Sequence, residues 1–307
     1  MIRAVVDVGS NSILLLVSEQ REGQWKPILE ATRVTGLGVG TKTSGLLGEA
    51  GMASTLEALA DFRRMSLEAG APLVRCGATM AVRIANNSAD FLNRAATQGT
   101  PVEVISGEQE AELGFKAVAT DPVFQNAERL SIIDPGGHST EMVTCDRQRT
   151  EWVTRYRKSF PVGALGLREE IFTSERADPR MVFQAIAHLD EMIGLCYRPS
   201  ESGVVVSLGA TGTNLITIRD RILEWDSTLV HGRRLDYEEI SRAAQWLLEM
   251  NDEERAAVIG IEKGREKRLH IGALILERFL FALRAESCIV STRGWRFAYL
   301  ELDPSPM

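Results

Sequence analysis

SIIDPGGHSTEMV, residues 131–143, is the stretch whose reading decides the fold. A β-branched run ends in Asp134; Pro135, Gly136, Gly137 and His138 follow, then the hydroxyls of Ser139 and Thr140, and apolar character returns at Met142 and Val143. That order is strand, tight turn, strand. Glycines let the backbone of such a turn approach a ligand, and successive N–H groups with the Ser139 and Thr140 hydroxyls suit phosphate oxygens. Asp134, at the strand end, then faces the ligand's Mg2+. The same residues also read as a plain hairpin with a glycine turn, and this stretch alone leaves both readings open.

Working outward, the stretch has an echo. Residues 4–17, AVVDVGSNSILLLV, repeat an apolar run, Asp7, Gly9, the small polar residues Ser10, Asn11 and Ser12, and an apolar return. The spacing between the two aspartates is 134 − 7 = 127 positions, about the length of one domain. Two phosphate hairpins, one opening each half, imply a duplicated architecture with a cleft between the halves. Asp121-Pro122 is the natural end of the first half, since proline disfavours continuing a helix.

Composition agrees with a two-domain globular protein: 307 residues, 44% of them hydrophobic, can bury two cores. The balance of 35 basic and 42 acidic residues, net −7, argues against nucleic acid held by bulk charge, so a polyanionic ligand needs a local basic lining. Cys76, Cys145, Cys196 and Cys288 are scattered without metal or redox spacing, which suits free thiols in a reducing cytoplasm. Neither a signal peptide nor a membrane-spanning run is expected.

Between the hairpins, GLGVGTKTSGLLG at 36–48 lacks nucleotide-loop spacing and reads as a mobile surface loop. Ser106 and Gln109 fit an N-cap and its box partner at the head of a helix running to about Ala119. The acidic first turn of that helix, Glu108 and Glu110, is explained by the macrodipole alone. Arg83 is either a surface ion-pair partner or a bidentate phosphate ligand. Arg155, Arg157 and Lys158 on the strand 152–160 read as a solvated edge or as positive charge near the cleft. A helix is expected from Pro179 through Cys196, and a last strand at 288–291.

DVGSNS at 7–12, ATMAVRIANN at 78–87, VISGEQEA at 104–111 and IDPGGHSTE at 133–141 closely resemble, in that order, motifs of the exopolyphosphatase / guanosine pentaphosphate phosphohydrolase (Ppx/GppA) family, a branch of the actin, sugar-kinase and Hsp70 superfamily. The resemblance covers nearly the whole chain. It implies an α/β fold of two duplicated actin-like, ribonuclease H-like lobes, residues 1–122 and 123–307, around a central interdomain cleft. It implies a cytoplasmic phosphoanhydride hydrolase that releases terminal orthophosphate from inorganic polyphosphate or guanosine pentaphosphate, with a homodimer as the default assembly and neither nucleic acid nor membrane as partner. Glu110 matches the residue that activates water, and Arg83 the arginine that stabilises the transferring phosphoryl. Asp134 and Glu141, with Asp7 close by, match the Mg2+ carboxylates. Phosphate would be bound by Gly9, Ser10, Asn11 and Ser12, by Gly136, Gly137, His138, Ser139 and Thr140, and by Gly209, Thr211, Gly212 and Thr213 of GATGTN, a segment resembling the one at which superfamily relatives hold adenosine.

Several positions depart from the family pattern. Pro135 and His138 stand where an aliphatic residue and a third glycine are usual, Glu112 replaces an arginine, and EKRLH at 266–270 replaces an R-A-D-like run. STRGWRFAYLE, at 291–301, replaces a glycine-rich S-x-x-G-L-R-E-G, although Arg296 keeps a basic position. These departures motivate an alternative of another class, a catalytically weakened phosphate- or alarmone-binding regulatory protein on the same fold.

Overall fold

Alternation along the first strand sets the architecture of the first half. In β1 (Ile2–Val8), Ala4, Val6 and Val8 join one apolar cluster, whereas Val5 joins another on the opposite face, as the two-residue period of a strand requires. β1 pairs antiparallel with β2 (Ser12–Arg21), which pairs with β3 (Gln24–Val34). After α1 (Thr41–Ser44) and α2 (Glu49–Glu68), β4 (Val74–Ala78) adds parallel to β1. α3 (Met80–Ile84) and α4 (Ser88–Thr97) follow, and β5 (Val102–Val104) adds parallel to β4. The sheet order is β3-β2-β1-β4-β5. Met52, Leu56, Leu59 and Phe62 of α2 cover the Val6 face; Leu113 and Ala117 of α5 (Gly107–Ala119) cover the Val5 face.

This computed structural model describes residues 1–72, 74–194 and 202–302. The chain divides into two compact units, Met1–Ala117 with the segment beginning at Trp295, and Val118–Gly294. The second contains β6 (Arg129–Pro135), β7 (Thr140–Gln148) and β8 (Glu151–Phe160), after a 3-10 turn at Pro122–Phe124. Then come α6 (Ala164–Glu170), α7 (Pro179–Gly194), β9 (Val204–Ser207), α8 (Gly209–Arg219), α9 (Ser227–Val230) and β10 (Arg234–Asp236). α10 (Tyr237–Leu248), α11 (Asp252–Ala256), α12 (Leu269–Leu283) and β11 (Ser287–Val290) complete it. Its sheet runs β10-β11-β9-β6-β7-β8. α12 is buried along nearly its whole length, with Phe279 meeting Phe160 of β8 edge-on at 5.1 Å between ring centres. The part of the expected helix that reaches Cys196 lies outside the described residues.

The duplication extends beyond the turns. Three antiparallel strands followed by two parallel additions recur as β1-β2-β3-β4-β5 and β6-β7-β8-β9-β11. The second strand carries a register shift at Val17/Ser18 in one unit and at Thr144/Cys145 in the other, the same 127-residue offset that separates Asp7 from Asp134. A bulge that re-aims a strand is a deliberate feature of a sheet rather than a defect.

One expectation is corrected here. The sequence reading assigns everything after residue 122 to the second lobe, whereas α13 (Trp295–Glu301) stands with the first unit. Trp295, Phe297, Tyr299 and Leu300 are buried in one cluster with Val5, Leu16 and Ile105. Gly77 of β4 makes the room, since a Cβ there would lie 2.7 Å from the Trp295 ring. Arg296, expected as a basic position, is also buried and donates to the Leu15 carbonyl at 3.1 Å. It fastens α13 to β2.

Two polar residues inside the second unit have energetic consequences. Arg255 is fully buried, and its five N–H donors meet the carbonyls of Leu247, Met250, Glu175 and Glu266 and the carboxylate of Asp252 at 2.5–2.8 Å. His270, at the start of α12, is buried, and both ring nitrogens lack a partner among the described residues. Phe172 meets its ring edge-on at 6.0 Å. Burial first, then the positive charge of Arg255 and Arg168, pushes the imidazole from the ordinary 6.5 down to about 2. The unfolded chain therefore takes up a proton below 6.5 that the folded chain refuses, so stability is lost as pH falls from that value towards about 2. Urea unfolding of wild type should show about 2 kcal/mol more loss between about pH 7 and about pH 5 than His270→Leu. Equal losses would show that the ring does protonate in the folded state.

Candidate active site

The first turn is a closed loop of backbone. Gly9 N–H donates to the Ser12 carbonyl at 3.0 Å, and a Cβ on Gly9 would lie 2.9 Å from that oxygen. The Ser10 carbonyl accepts from Gly38 N–H at 2.7 Å, and the Asn11 carbonyl from Thr35 and Gly36 N–H at 3.1 and 3.0 Å. Peptide units are planar and trans, so the N–H groups of Asn11 and Ser12 point away from that loop, side by side. Successive N–H groups aimed one way make an anion-binding concavity. The Asn11 side chain donates to Ser12 Oγ at 3.2 Å, and the other end of its amide is buried without a partner among the described residues.

The stretch 36–48 thus has a different role from the one expected of it. It is not a mobile surface loop: Leu37, Thr41 and Leu47 are buried, and its N–H groups buttress the first turn. Asn87 pins its far end, accepting from Leu47 N–H at 2.8 Å and donating to the Leu47 carbonyl at 3.0 Å. Sequence reasoning missed Asn87 because its partner lies 40 residues away.

At the head of α5 the expected capping box is present. Ser106 N–H donates to Gln109 Oε1 at 2.9 Å and Gln109 N–H to Ser106 Oγ at 3.1 Å. This anchors the first turn, from which Glu110 reaches Arg83 Nη1 at 3.1 Å. The same nitrogen donates to the Ile105 carbonyl at 2.6 Å. That arm of Arg83 is therefore committed to orienting Glu110, which is 11% exposed at its side chain. Glu112 is exposed and lies about 200° round the helix from Glu110, so the departure at that position leaves the Glu110 face unchanged. Asp7, the last-but-one residue of β1, lies on the face that carries Val5, the face that α5 covers.

In the second unit the turn is built alike. Gly136 N–H donates to the Ser139 carbonyl at 2.8 Å, and a Cβ on Gly136 would again lie 2.9 Å from it. The Gly136 and Gly137 carbonyls accept from Ala164 and Leu165 N–H, at the start of α6, at 3.0 and 2.7 Å. The N–H groups of Gly137 and His138 consequently point the other way. Pro135 pairs with Thr140 at the strand end and His138 is wholly buried, so both departures fit within a turn that keeps the geometry of the first. Gly163 approaches so closely that a Cβ would lie 2.6 Å from His138 N.

The carboxylates lie in a row. Asp134 is directly opposite Glu141 on β7, and Glu141 directly opposite Ser159 on β8, so all three share one face of the sheet. Ser159 Oγ donates to Glu141 Oε1 at 2.7 Å. Gly209, at φ +73°, leaves open the space beside Asp134, where a Cβ would lie 2.7 Å from Oδ1. Two like charges opposite each other repel, and a hard cation held by one or two carboxylates plus water relieves that. The donor set fits Mg2+.

Other expected phosphate ligands have partners or packing roles within the second unit. Thr140 is buried and its hydroxyl donates to the Val162 carbonyl at 2.7 Å. Thr213 donates back to the Ala210 carbonyl at 3.1 Å. Gly212 serves close packing, since a Cβ would meet Ser207 Oγ at 2.7 Å, and Thr211 packs against Gly272. Thr140 and Thr213 were expected on phosphate; each hydroxyl donates to a main-chain carbonyl here. Arg155 of β8 and Arg129 of β6 both pair with Asp146 of β7, at 2.6 and 2.5 Å. The Arg129 hydrogen bond is the main cause holding the Asp146 carboxyl down to about 2.

Comparison with known proteins places these features in context. The sequence model of the Ppx/GppA phosphatase family matches residues 16–299. Exopolyphosphatase 2 of Mycobacterium tuberculosis is 29% identical over 300 residues, covering 93% of this chain and 92% of the relative. The crystal structure of the Aquifex aeolicus member of the Ppx/GppA family superposes with a TM-score of 0.79 at 29% identity, covering 98% of this chain and 96% of that one. An exopolyphosphatase from Cytophaga hutchinsonii shares the fold, with a TM-score of 0.85 at 22% identity over 97% of this chain and 96% of its own.

Proposed function

The chain belongs to the Ppx/GppA phosphatase family, and from that premise we propose that it hydrolyses the terminal phosphoanhydride of inorganic polyphosphate or guanosine pentaphosphate, releasing orthophosphate. The observation that carries this reading is the repeated unit of a carboxylate followed by a turn with paired N–H groups, at 7–12 and at 134–139. Phosphoryl transfer asks chiefly for positioning and charge stabilisation, which such turns supply without reorganisation.

In this reading Glu110 orients and deprotonates the attacking water, and Arg83 keeps its carboxylate in place. The N–H groups of Asn11, Ser12, Gly137 and His138 hold phosphoryl oxygens. Asp134 and Glu141 hold Mg2+, with Asp7 as the acidic residue of the first turn; the ion's contribution is to neutralise charge on the phosphate oxygens. No serine, cysteine or histidine nucleophile is required.

Purified protein with Mg2+ should release orthophosphate from long-chain polyphosphate, from guanosine pentaphosphate, or from both, when the two are assayed side by side. Tight binding without release would install the regulatory alternative. ATP consumption with transfer to an acceptor would point to kinase chemistry.

A further inference from the structure

The two units differ at one position in an otherwise matching row. In the second unit the row across β6, β7 and β8 is Asp134, Glu141, Ser159. The row at the same 127-residue offset across β1, β2 and β3 is Asp7, Leu14, Thr32. Both rows end in a hydroxyl on the third strand, but only the second has a carboxylate for that hydroxyl to hold. There the contact is made: Ser159 Oγ donates to Glu141 Oε1 at 2.7 Å, and Glu141 is buried.

We propose that Ser159 is a positioning residue for the divalent cation, its hydroxyl fixing Glu141 in the orientation in which Glu141 and Asp134 together bind one Mg2+. The inference rests on the metal reading given above. A glutamate has three side-chain torsions, and the Ser159 bond holds Oε1 towards β8. Removing the hydroxyl takes away that hold on Oε1, beside the like charge of Asp134 on the neighbouring strand. Groups that hold metal ligands in place commonly change metal affinity by about 10–100-fold when removed. Thr32 marks the residue type that the third strand accommodates at this position of the repeat, and it makes Ser159→Thr the conservative control.

The test is Mn2+ binding to the full-length protein, read by the electron paramagnetic resonance signal of free Mn2+ and so independent of turnover. Wild type, Asp134→Asn, Ser159→Ala and Ser159→Thr are compared, with thermal melts confirming that each is folded. The expected result is binding by wild type, loss in Asp134→Asn, affinity about ten-fold or more weaker in Ser159→Ala, and recovery in Ser159→Thr. Loss in Asp134→Asn with Ser159→Ala equal to wild type overturns the role of Ser159 and leaves the metal reading standing. Absence of binding by wild type, or unchanged binding by Asp134→Asn, removes the metal reading and this inference with it.

Discussion

Glu110→Gln should lower kcat for orthophosphate release by about 10²–10⁴-fold, the range lost when a general base is removed, while KM stays within about three-fold. Glutamine keeps the length of the side chain and still offers an oxygen to Arg83 Nη1, now 3.1 Å from the carboxylate. The capping box of Ser106 and Gln109 is independent of it. The fold and the N–H groups of both turns are therefore untouched, and only proton acceptance is lost. Glu110→Ala should fall at least as far. Steady-state kinetics with polyphosphate at saturating Mg2+ checks this; a loss in Glu110→Gln below about ten-fold would take water activation away from this residue.

Arg255→Met should destabilise the second unit by about 3–5 kcal/mol, the usual result of removing one partner from a buried charged network. Five acceptors currently share this guanidinium: four main-chain carbonyls and the Asp252 carboxylate. They come from segments far apart in sequence, Glu175 lying 80 residues from Arg255. Each acceptor left dry costs about 1–3 kcal/mol, and entry of water recovers part of it. A loss of this size is a large share of the 5–15 kcal/mol, roughly, that holds a domain folded. Lysine, with three donors instead of five, should recover only part of the loss. Urea unfolding followed by circular dichroism checks both, and a change under about 1 kcal/mol for Arg255→Met would mean that water replaces the guanidinium without cost.

Much of the candidate site was legible because its signals are local. The Asp-x-Gly turns at Asp7 and Asp134 announce themselves within a few residues, and their offset pairs them. The Ser106–Gln109 box depends on a three-residue spacing. Other features depend on distant neighbours. Thr140 has the same hydroxyl whether it faces phosphate or the Val162 carbonyl, 22 residues on. The Gly-rich stretch 36–48 resembles a loose loop until Ser10 and Asn11 supply acceptors for its N–H groups.

What the chain determined by itself was the repeated hairpin, the strand and helix periods around it, and the chemistry of the turns. All follow from torsional preferences and hydrogen bonds that close over a few residues. Tertiary structure alone decided that α13 belongs with the first unit, that Arg83 is committed to Glu110, and that Ser159 reaches Glu141. Those outcomes rest on which buried polar groups find partners across the sheets, and a buried donor takes the acceptor that packing brings to it, however far away in sequence that acceptor lies.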